Sequence, residues 1–414
     1  MLARKILFDI LSRFRQGCLE IREGNAVHTF GDPEADLRAS VLVHDPAFYR
    51  SAVLGGEIGF GESYMDGHWS SPDLPQVIRV AVRNLNALDS GSRLSAWCSR
   101  ALNFVRHKLN ANTLAGSRRN ISAHYDLSNS FFRLFLDRAM QYSSAVYETG
   151  QETLDRAQRN KMDLICRKLD LRPGDRLLEI GTGWGGLALH AAENYGALVT
   201  TTTISREQYE YARDLFSQRG ARIELLFEDY RHLRGSFDKI VSVEMFEAVG
   251  FRFYDEYFGA LDRLLAPDGV ALIQAITMND QSFDSYRSSA DWIQKYIFPG
   301  AELASVAGVM ASLKRSTKLT LFHFEDIGLS YARTLAEWRQ RFWNTISEVR
   351  ALGFDERFIR MWDYYLAYCE GGFQERHISD VQMLLSKTHN RRLLYGESRL
   401  ANRARQAELF EEVV

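Results

Sequence analysis

Apolar and polar positions between residues 151 and 278 switch repeatedly between helical and strand spacing. Residues 151 to 169 carry apolar side chains at helical spacing and predict an amphipathic helix. "DRLLEIG" then reads as a buried strand, "GGLALHAAENY" as a helix and "ALVTTTTIS" as a strand. "REQYEYARDLFSQRG" is a helix closed by Gly220, and "RIELLFED" and "FDKIVSVEM" are strands. The helical "YDEYFGALDRLLAPDG" stops at Pro-Asp-Gly, and "VALIQAIT" is the next strand. This alternation predicts an α/β fold with a doubly wound, mostly parallel sheet. A helical, aromatic insertion interrupts it from Asp280 to about Ser316. "LTLFHFEDI" resumes the sheet, and two helices follow near 333–351 and 355–372. "ISDVQMLLSK" is expected as a final antiparallel strand at or near the edge.

The N-terminal part is patterned differently. Leu2, Ile6, Leu7, Ile10, Leu11 and Phe14 recur at helical spacing, with Lys5, Arg13 and Arg15 among them. Such a helix either faces its own core or lies on an anionic membrane surface. "AVHTFG" and "ASVLVHD" read as short strands, "FYRSAVLGG" as a strand or helix, and the glycine-rich "GEIGFGESYMDGHWS" as loop or turn. Helical patterning runs from Leu74 to about Leu109, and "NANTLAGSRRN" reads as a linker. The expected organisation is a small α+β domain over 1–110, a linker over 111–123 and the α/β domain over 124–414, with a lid-like insertion at about 280–316.

Composition narrows the function classes. Of 414 residues, 46% are hydrophobic and 25% charged, as in ordinary globular proteins. The net charge of -2 gives no global pull toward nucleic acid, and none is expected as a partner. Four scattered cysteines without a C-x-x-C pair suggest neither a zinc site nor a disulfide framework. No metal is expected, and a reducing cytoplasm is the implied setting. No apolar run is long enough to cross a bilayer.

"RLLEIGTGWGGLALH" sits where a strand turns into a helix. Gly181, Gly183 and Gly186 fit the G-x-G-x-x-G spacing of a dinucleotide site. That site also needs an acid some way on, at the end of the second strand, for the ribose hydroxyls. Thr201, Thr202 and Thr203 stand there instead. Glu179, two residues before the first glycine, would repel a phosphate but can accept a hydrogen bond from the α-amino group of a methionine moiety. Asp229 and Tyr230 end the third strand, where an acid can bind an adenine amine and a ring can stack on the base. Glu244 and Glu247 stand at the tip of the fourth. The set looks like a class I methyltransferase core for S-adenosylmethionine.

"HYDLSNSFFRLFLDRAMQYSSAVY", "EIGTGWGG", "TISREQ", "EDYR", "VSVEMFEAVG", "DWIQKYIFPG", "YYLAYCEGGF" and "DVQMLLSK" follow in order from 124 to about 387. Together they resemble the cyclopropane fatty acid synthases. The resemblance implies that Tyr142 and Ser143 contact the methyl donor and that Gly181 and Gly183 wrap its methionine and ribose. Thr203, Ile204 and Gln208 would lie around ribose and adenine, and Asp229 and Tyr230 would face the adenine. The implied substrate is an unsaturated acyl chain of a membrane phospholipid, met by a peripheral protein at the inner face of the membrane. A homodimer is compatible with this reading.

The implied chemistry is attack of an alkene on the sulfonium methyl, leaving a carbocation. An apolar pocket keeps water from it, and a base removes a proton so that a ring closes. In the family that base is a bound bicarbonate, held by a Cys, a Glu, a His, a backbone group and a Tyr. Here Glu247 and Tyr331 match the Glu and Tyr, and the backbone contact falls at Ile276. Ser144 replaces the Cys and Gln274 the His. Both can still donate to an anion, but the thiol and imidazole are missing. Loss of a different proton would give a methylene or a methyl branch, and a polyene would give a methylated diene. Cys369 matches a cysteine once regarded as the family's nucleophile. The chemistry needs no covalent intermediate, and a buried structural thiol is the other reading.

Overall fold

The computed structural model describes residues 1–91, 128–288, 291–388 and 390, so the expected linker at 111–123 and the start of the motif at His124 lie outside the described residues. By contacts the chain divides into two compact units. One comprises residues 1–136, 278–302 and 328–379; the other comprises 137–277, 303–327 and 380–414.

The first unit opens with helix Leu2–Leu11, which turns Ile10 and Leu11 inward and leaves Leu2 and Ile6 exposed. Strands β1 (Cys18–Glu23), β2 (Ala26–Gly31), β3 (Arg38–Val43) and β4 (Trp69–Ser70) form a sheet in the order β2-β1-β3-β4. Gly24, at φ 55, makes the turn of the antiparallel β1–β2 pair. The stretch expected as loop is instead helical. Residues Ala47–Met65 form one helical segment, broken at Gly56 (φ 55, ψ -138). Its glycines serve packing. A Cβ on Gly61 would lie 2.5 Å from the Trp292 ring nitrogen, and one on Gly59 would lie 2.1 Å from the Ser51 carbonyl. Glycine content signalled a loop, but tertiary contact uses the missing side chains for close approach. Helix Glu356–Gln374 packs on this segment and on helix Leu74–Arg83, with Gly371 against Ile78. Phe131 meets Phe135, Phe342, Phe358 and Trp362 edge to face, and Phe135 is tilted against Trp362. Asp363, buried in this core, accepts from Tyr64, Arg339 and Trp343.

The second unit is built on seven strands: β5 (Arg176–Ile180), β6 (Leu198–Thr202), β7 (Glu224–Leu226), β8 (Phe237–Val243), β9 (Leu265–Met278), β10 (Leu319–Asp326) and β11 (Ile378–Lys387). Their order is β10-β11-β9-β8-β5-β6-β7. The pairs β5–β6, β6–β7, β5–β8 and β8–β9 are parallel, and β10–β11 is antiparallel. The final strand therefore lies next to the edge, with β10 outside it. Alternate residues serve two cores, as strand pleating requires. Leu177, Val199, Val241 and Leu272 pack with helices Leu154–Lys168, Gly186–Tyr195 and Arg206–Arg219. Leu178, Ile180, Ile240 and Ile273 pack with helices Tyr254–Leu264 and Val306–Ser316. The insertion expected at 280–316 contains helices Asp280–Tyr286, Trp292–Tyr296 and Val306–Ser316.

Glycine roles in this unit can be separated by mutation. Gly185 (φ 88) caps helix Gly186–Tyr195, and a Cβ there would sit 2.8 Å from the Phe216 ring. Gly220 (φ 62) caps helix Arg206–Arg219 with open space around it. Both alanine variants carry left-handed strain of about 1–2 kcal/mol. Only Gly185→Ala adds overpacking, about 1–3 kcal/mol. Calorimetry is expected to show a clearly larger fall in Tm for Gly185→Ala than for Gly220→Ala. Equal falls would contradict the packing argument.

Candidate active site

The parallel strands of the second unit all end on one side of its sheet, and β5 ends at the glycine loop. Gly181 (φ 100), Gly183 (φ 53) and Gly185 (φ 88) all adopt conformations that side chains avoid. Gly181 is held by a hydrogen bond from its N–H to the Thr202 carbonyl on β6 (3.0 Å). A Cβ on Gly183 would meet nothing within 4 Å among the described residues. Glu179, the last but one residue of β5, is buried. Its Oε2 accepts from Thr201 Oγ1 at 2.5 Å, which is bonded in turn to Thr182 Oγ1 at 2.7 Å. Burial pushes Glu179 up to about 8, against the pull of the Thr201 hydroxyl and Lys161. A buried carboxyl so poor in donors favours a cationic guest.

The other residues expected around the donor are placed as follows. Thr203 is buried, and its hydroxyl donates to Gln208 Oε1 (3.0 Å) and accepts from Ser205 N–H (3.1 Å). Ile204 is half-buried between them. Asp229 is buried after β7 and accepts from the Arg231 backbone N–H (3.1 Å). Tyr230 is buried in the hydrophobic cluster, edge-on to Tyr257. Tyr142 is half-buried. The Ser143 hydroxyl accepts from Lys161 Nζ (2.6 Å), and its carbonyl accepts from Gln158 (2.8 Å).

A second cluster forms at the ends of β8, β9 and β11. Glu244 follows β8 with φ 48, a sparsely populated conformation for a residue with a side chain. Its Oε1 accepts from the Ser144 N–H (2.7 Å) and from Gln274 Nε2 (2.8 Å). Gln274 Nε2 also donates to Asp380 Oδ2 (2.8 Å). Gln274 Oε1 accepts from Gln382 (2.9 Å), whose own carbonyl oxygen accepts from the buried Lys168 (2.7 Å). The Ser144 hydroxyl donates to the Ala145 carbonyl (2.9 Å). Glu247 Oε1 accepts from the Ile276 N–H (2.5 Å), the backbone group expected to hold the anion. Its Oε2 is buried and has no hydrogen-bond partner among the described residues. Burial, then the Glu244 charge, push Glu247 up to about 8. Burial and both glutamates hold Asp380 well above the usual carboxylate range.

Tyr331 and Cys369 belong to the first unit. Tyr331 is buried and stacked on Phe373 at 4.6 Å. Cys369 is half-buried, and desolvation and Asp291 push its thiol up, away from the thiolate a nucleophile needs.

Sequence reasoning missed Lys161, Asp380 and Gln382. Lys161 is fully buried and donates to Gln141 (2.9 Å) as well as Ser143. Its charge is felt by Glu244, Asp137, Asp380 and Glu179. The signal was present: Leu154, Ala157, Lys161, Ile165 and Lys168 lie on one stripe of an amphipathic helix, and all are buried. A lysine on the apolar stripe of a helix needs a buried partner.

A glycine cradle with a buried acid, at the β5 end of a sheet in this order, defines an S-adenosylmethionine-dependent methyltransferase of the class I fold. Residues 113–383 match the family described as mycolic acid cyclopropane synthetase, to which the chain belongs. Tuberculostearic acid methyltransferase UfaA1 of Mycobacterium tuberculosis is 40% identical over 362 residues, 85% of this chain and 84% of that one. Cyclopropane-fatty-acyl-phospholipid synthase of Escherichia coli is 37% identical over 372 residues, 88% of this chain and 91% of that one. The cyclopropane synthase MmaA2 of M. tuberculosis superposes with a TM-score of 0.61 at 31% identity, over 65% of this chain and 98% of that one. The mycolic acid cyclopropane synthase CmaA1, solved with S-adenosylhomocysteine and CTAB, gives 0.61 at 32% identity with the same coverage.

Glu247 carries a linkage of definite sign. Its carboxyl is raised from 4.5 to about 8 in the fold, so the folded state retains a proton that the unfolded chain releases. The carboxyl therefore costs nothing below the lower value and destabilises increasingly as pH rises through that window. Glu247→Gln is expected to raise the Tm of the ligand-free protein, by more at about pH 8 than at about pH 5. A shift independent of pH would remove Glu247 from this account.

Proposed function

We propose that the protein transfers the methyl group of S-adenosylmethionine to a cis double bond of an unsaturated phospholipid acyl chain and closes a cyclopropane ring. The observation that carries this is Glu247, buried at the tip of β8 with one carboxylate oxygen committed to Ile276 and the other without a partner among the described residues. The name of the E. coli relative supports the substrate class. The methyl donor supplies a sulfonium carbon electrophilic enough for an isolated alkene. This chain's residues bind it, keep water out and accept the proton.

In this reading Glu179 takes the α-amino group of the donor, and Gly181 and Gly183 let backbone approach its methionine and ribose. Tyr142 and Ser143 close over it, with Ser143 steadied by Lys161. Thr203, Ile204 and Gln208 line the ribose and adenine, and Asp229 and Tyr230 meet the adenine. Glu179→Gln is expected to weaken S-adenosylmethionine binding about tenfold, by loss of one charge-assisted hydrogen bond. Titration calorimetry on the purified protein checks this, and unchanged affinity would displace Glu179 from the site.

A second product reading rests on two observations. Gln274 and Ser144 stand where the family has His and Cys, and a relative at 40% identity is named as a methyltransferase. In that reading the cation loses another proton and leaves a methyl-branched, methylene or methylated polyene chain. Expression in a host lacking its own synthase, with mass spectrometry of the fatty methyl esters, separates the two. The ring reading expects a gain of one CH2 with loss of the double bond and resistance to hydrogenation. The same gain with an unsaturation that hydrogenates would select the second.

The substrate reading also implies work at a cytoplasmic membrane surface. Among the described residues no helix is long and apolar enough to cross a membrane. Helix Leu2–Leu11 exposes Leu2 and Ile6 beside exposed Lys5, which suits shallow insertion into an anionic surface. Ile10, Leu11 and Phe14 are core, so truncation would unfold this end, whereas Leu2→Asp/Ile6→Asp leaves the core intact. That variant is expected to sediment less with anionic vesicles while keeping its Tm. Unchanged sedimentation would exclude the helix as the contact.

A further inference from the structure

We propose that the Glu247 carboxylate itself removes the proton from the transferred methyl group, in place of a bound bicarbonate. The inference rests on the function proposed above and concerns how its last step is carried out.

The second unit carries four of the groups that would hold the anion, and in three of them, Gln274, Ser144 and Ile276, every donor is committed. The Gln274 amide is divided between Glu244 and Asp380, and its carbonyl oxygen is tied to Gln382. Lys168 and Gln382 hold that orientation from behind, so the amide is not free to turn. The Ser144 hydroxyl is spent on the Ala145 carbonyl, and the Ser144 N–H on Glu244. The Ile276 N–H is taken by Glu247. With Glu247 ionised, as a base must be, a bicarbonate placed here would also face the charges of Glu247 and Glu244. A second anion beside those two charges, with the Gln274, Ser144 and Ile276 donors already committed, is repelled. The residues of this unit do not fit the group.

Glu247 has what the absent anion would supply. One oxygen is fixed by the Ile276 N–H, which orients the carboxylate, and the other is buried and unengaged among the described residues. The step balances without another reactant. The alkene electron pair forms the new bond to the sulfonium methyl carbon, and the carbon–sulfur pair leaves with sulfur. Glu247 Oε2 takes a proton from that methyl, and the released C–H pair closes the ring onto the cationic carbon. The proton then passes from Glu247 to solvent.

The groups around Glu247 set the pH at which it works. Glu244 beyond β8, Asp380 on β11 and Tyr257 on helix Tyr254–Leu264 all interact with it electrostatically. Lys161, on helix Leu154–Lys168, offsets Glu244 and Asp380. The carboxylate form is favoured as pH rises through about 8. The kcat/KM of the wild type should therefore climb across that range, a limb that Glu247→Gln lacks.

The test uses the full-length protein with vesicles of unsaturated phospholipid, in buffer stripped of carbon dioxide and with bicarbonate restored. The expected result is a wild-type rate unchanged by bicarbonate. Glu247→Gln should lose about 100-fold or more in ring formation. It should keep its S-adenosylmethionine affinity by calorimetry, and bicarbonate should not rescue it. A saturable rise of the wild-type rate with bicarbonate overturns the proposal, as does ring formation by Glu247→Gln within a few-fold of wild type. A wild type that forms no ring under either condition overturns the function beneath it, a result distinct from both.

Discussion

Acid groups buried at the strand ends are the constraint on which the second unit is built. Glu179 ends β5, Glu244 and Glu247 follow β8, and Asp380 lies on β11, with Lys161 interacting with three of the four. Burying an ionised carboxyl costs several kcal/mol unless donors replace its water. Part of the solution is to hold protons: burial raises Glu179, Glu247 and Asp380 alike. The rest is donor placement, which explains the threonine hydroxyls beside Glu179, the left-handed backbone at Glu244 and the locked amide of Gln274.

That cluster also suits the chemistry assigned to the family. A sulfonium donor is cationic, and a carbocation follows it on the acyl chain. Acids that are costly in the empty protein become complementary to positive charge once the donor is bound, so the binding free energy offsets what the fold loses. Lys161 works in the opposite sense. Its ammonium tempers the repulsion among the acids while its hydrogen bonds hold Gln141 and Ser143, so one side chain serves both electrostatics and the placing of the 141–144 segment.

The first unit meets a different requirement. Its core is aromatic and closely packed, and its principal buried charge, Asp363, is met by a guanidinium, a phenol and an indole together. Small residues at Gly59, Gly61 and Gly371 let its helices approach where any side chain would collide. Those glycines carry no ligand-binding signal. Their value is the room they leave for Trp292, Tyr364 and Ile78.

The sequence by itself determined whatever is written in local spacing. The strand–helix alternation, the sharp turn at Gly181–Gly185, the Glu179 position before it and the absence of a ribose acid near Thr201 are readable because strand pleat, helix pitch and left-handed turns involve neighbouring residues only. The part of helix Ala47–Met65 beyond Gly56 was not legible, because its glycines break local propensity and only partners such as Trp292, hundreds of residues away, make them useful. Lys161 left a trace, a charge on an apolar stripe, but its partners could not be named from that stripe. Ser144 and Gln274 were visible as departures from a family pattern, yet their consequence was not. Whether an amide can greet an anion depends on what already holds it, and Gln274 is held by Glu244 beyond β8 and by Asp380 and Gln382 on β11. Hydrogen-bond commitment among buried groups is a property of the packed sheet, which is why only the tertiary structure decided the character of the proton acceptor's surroundings.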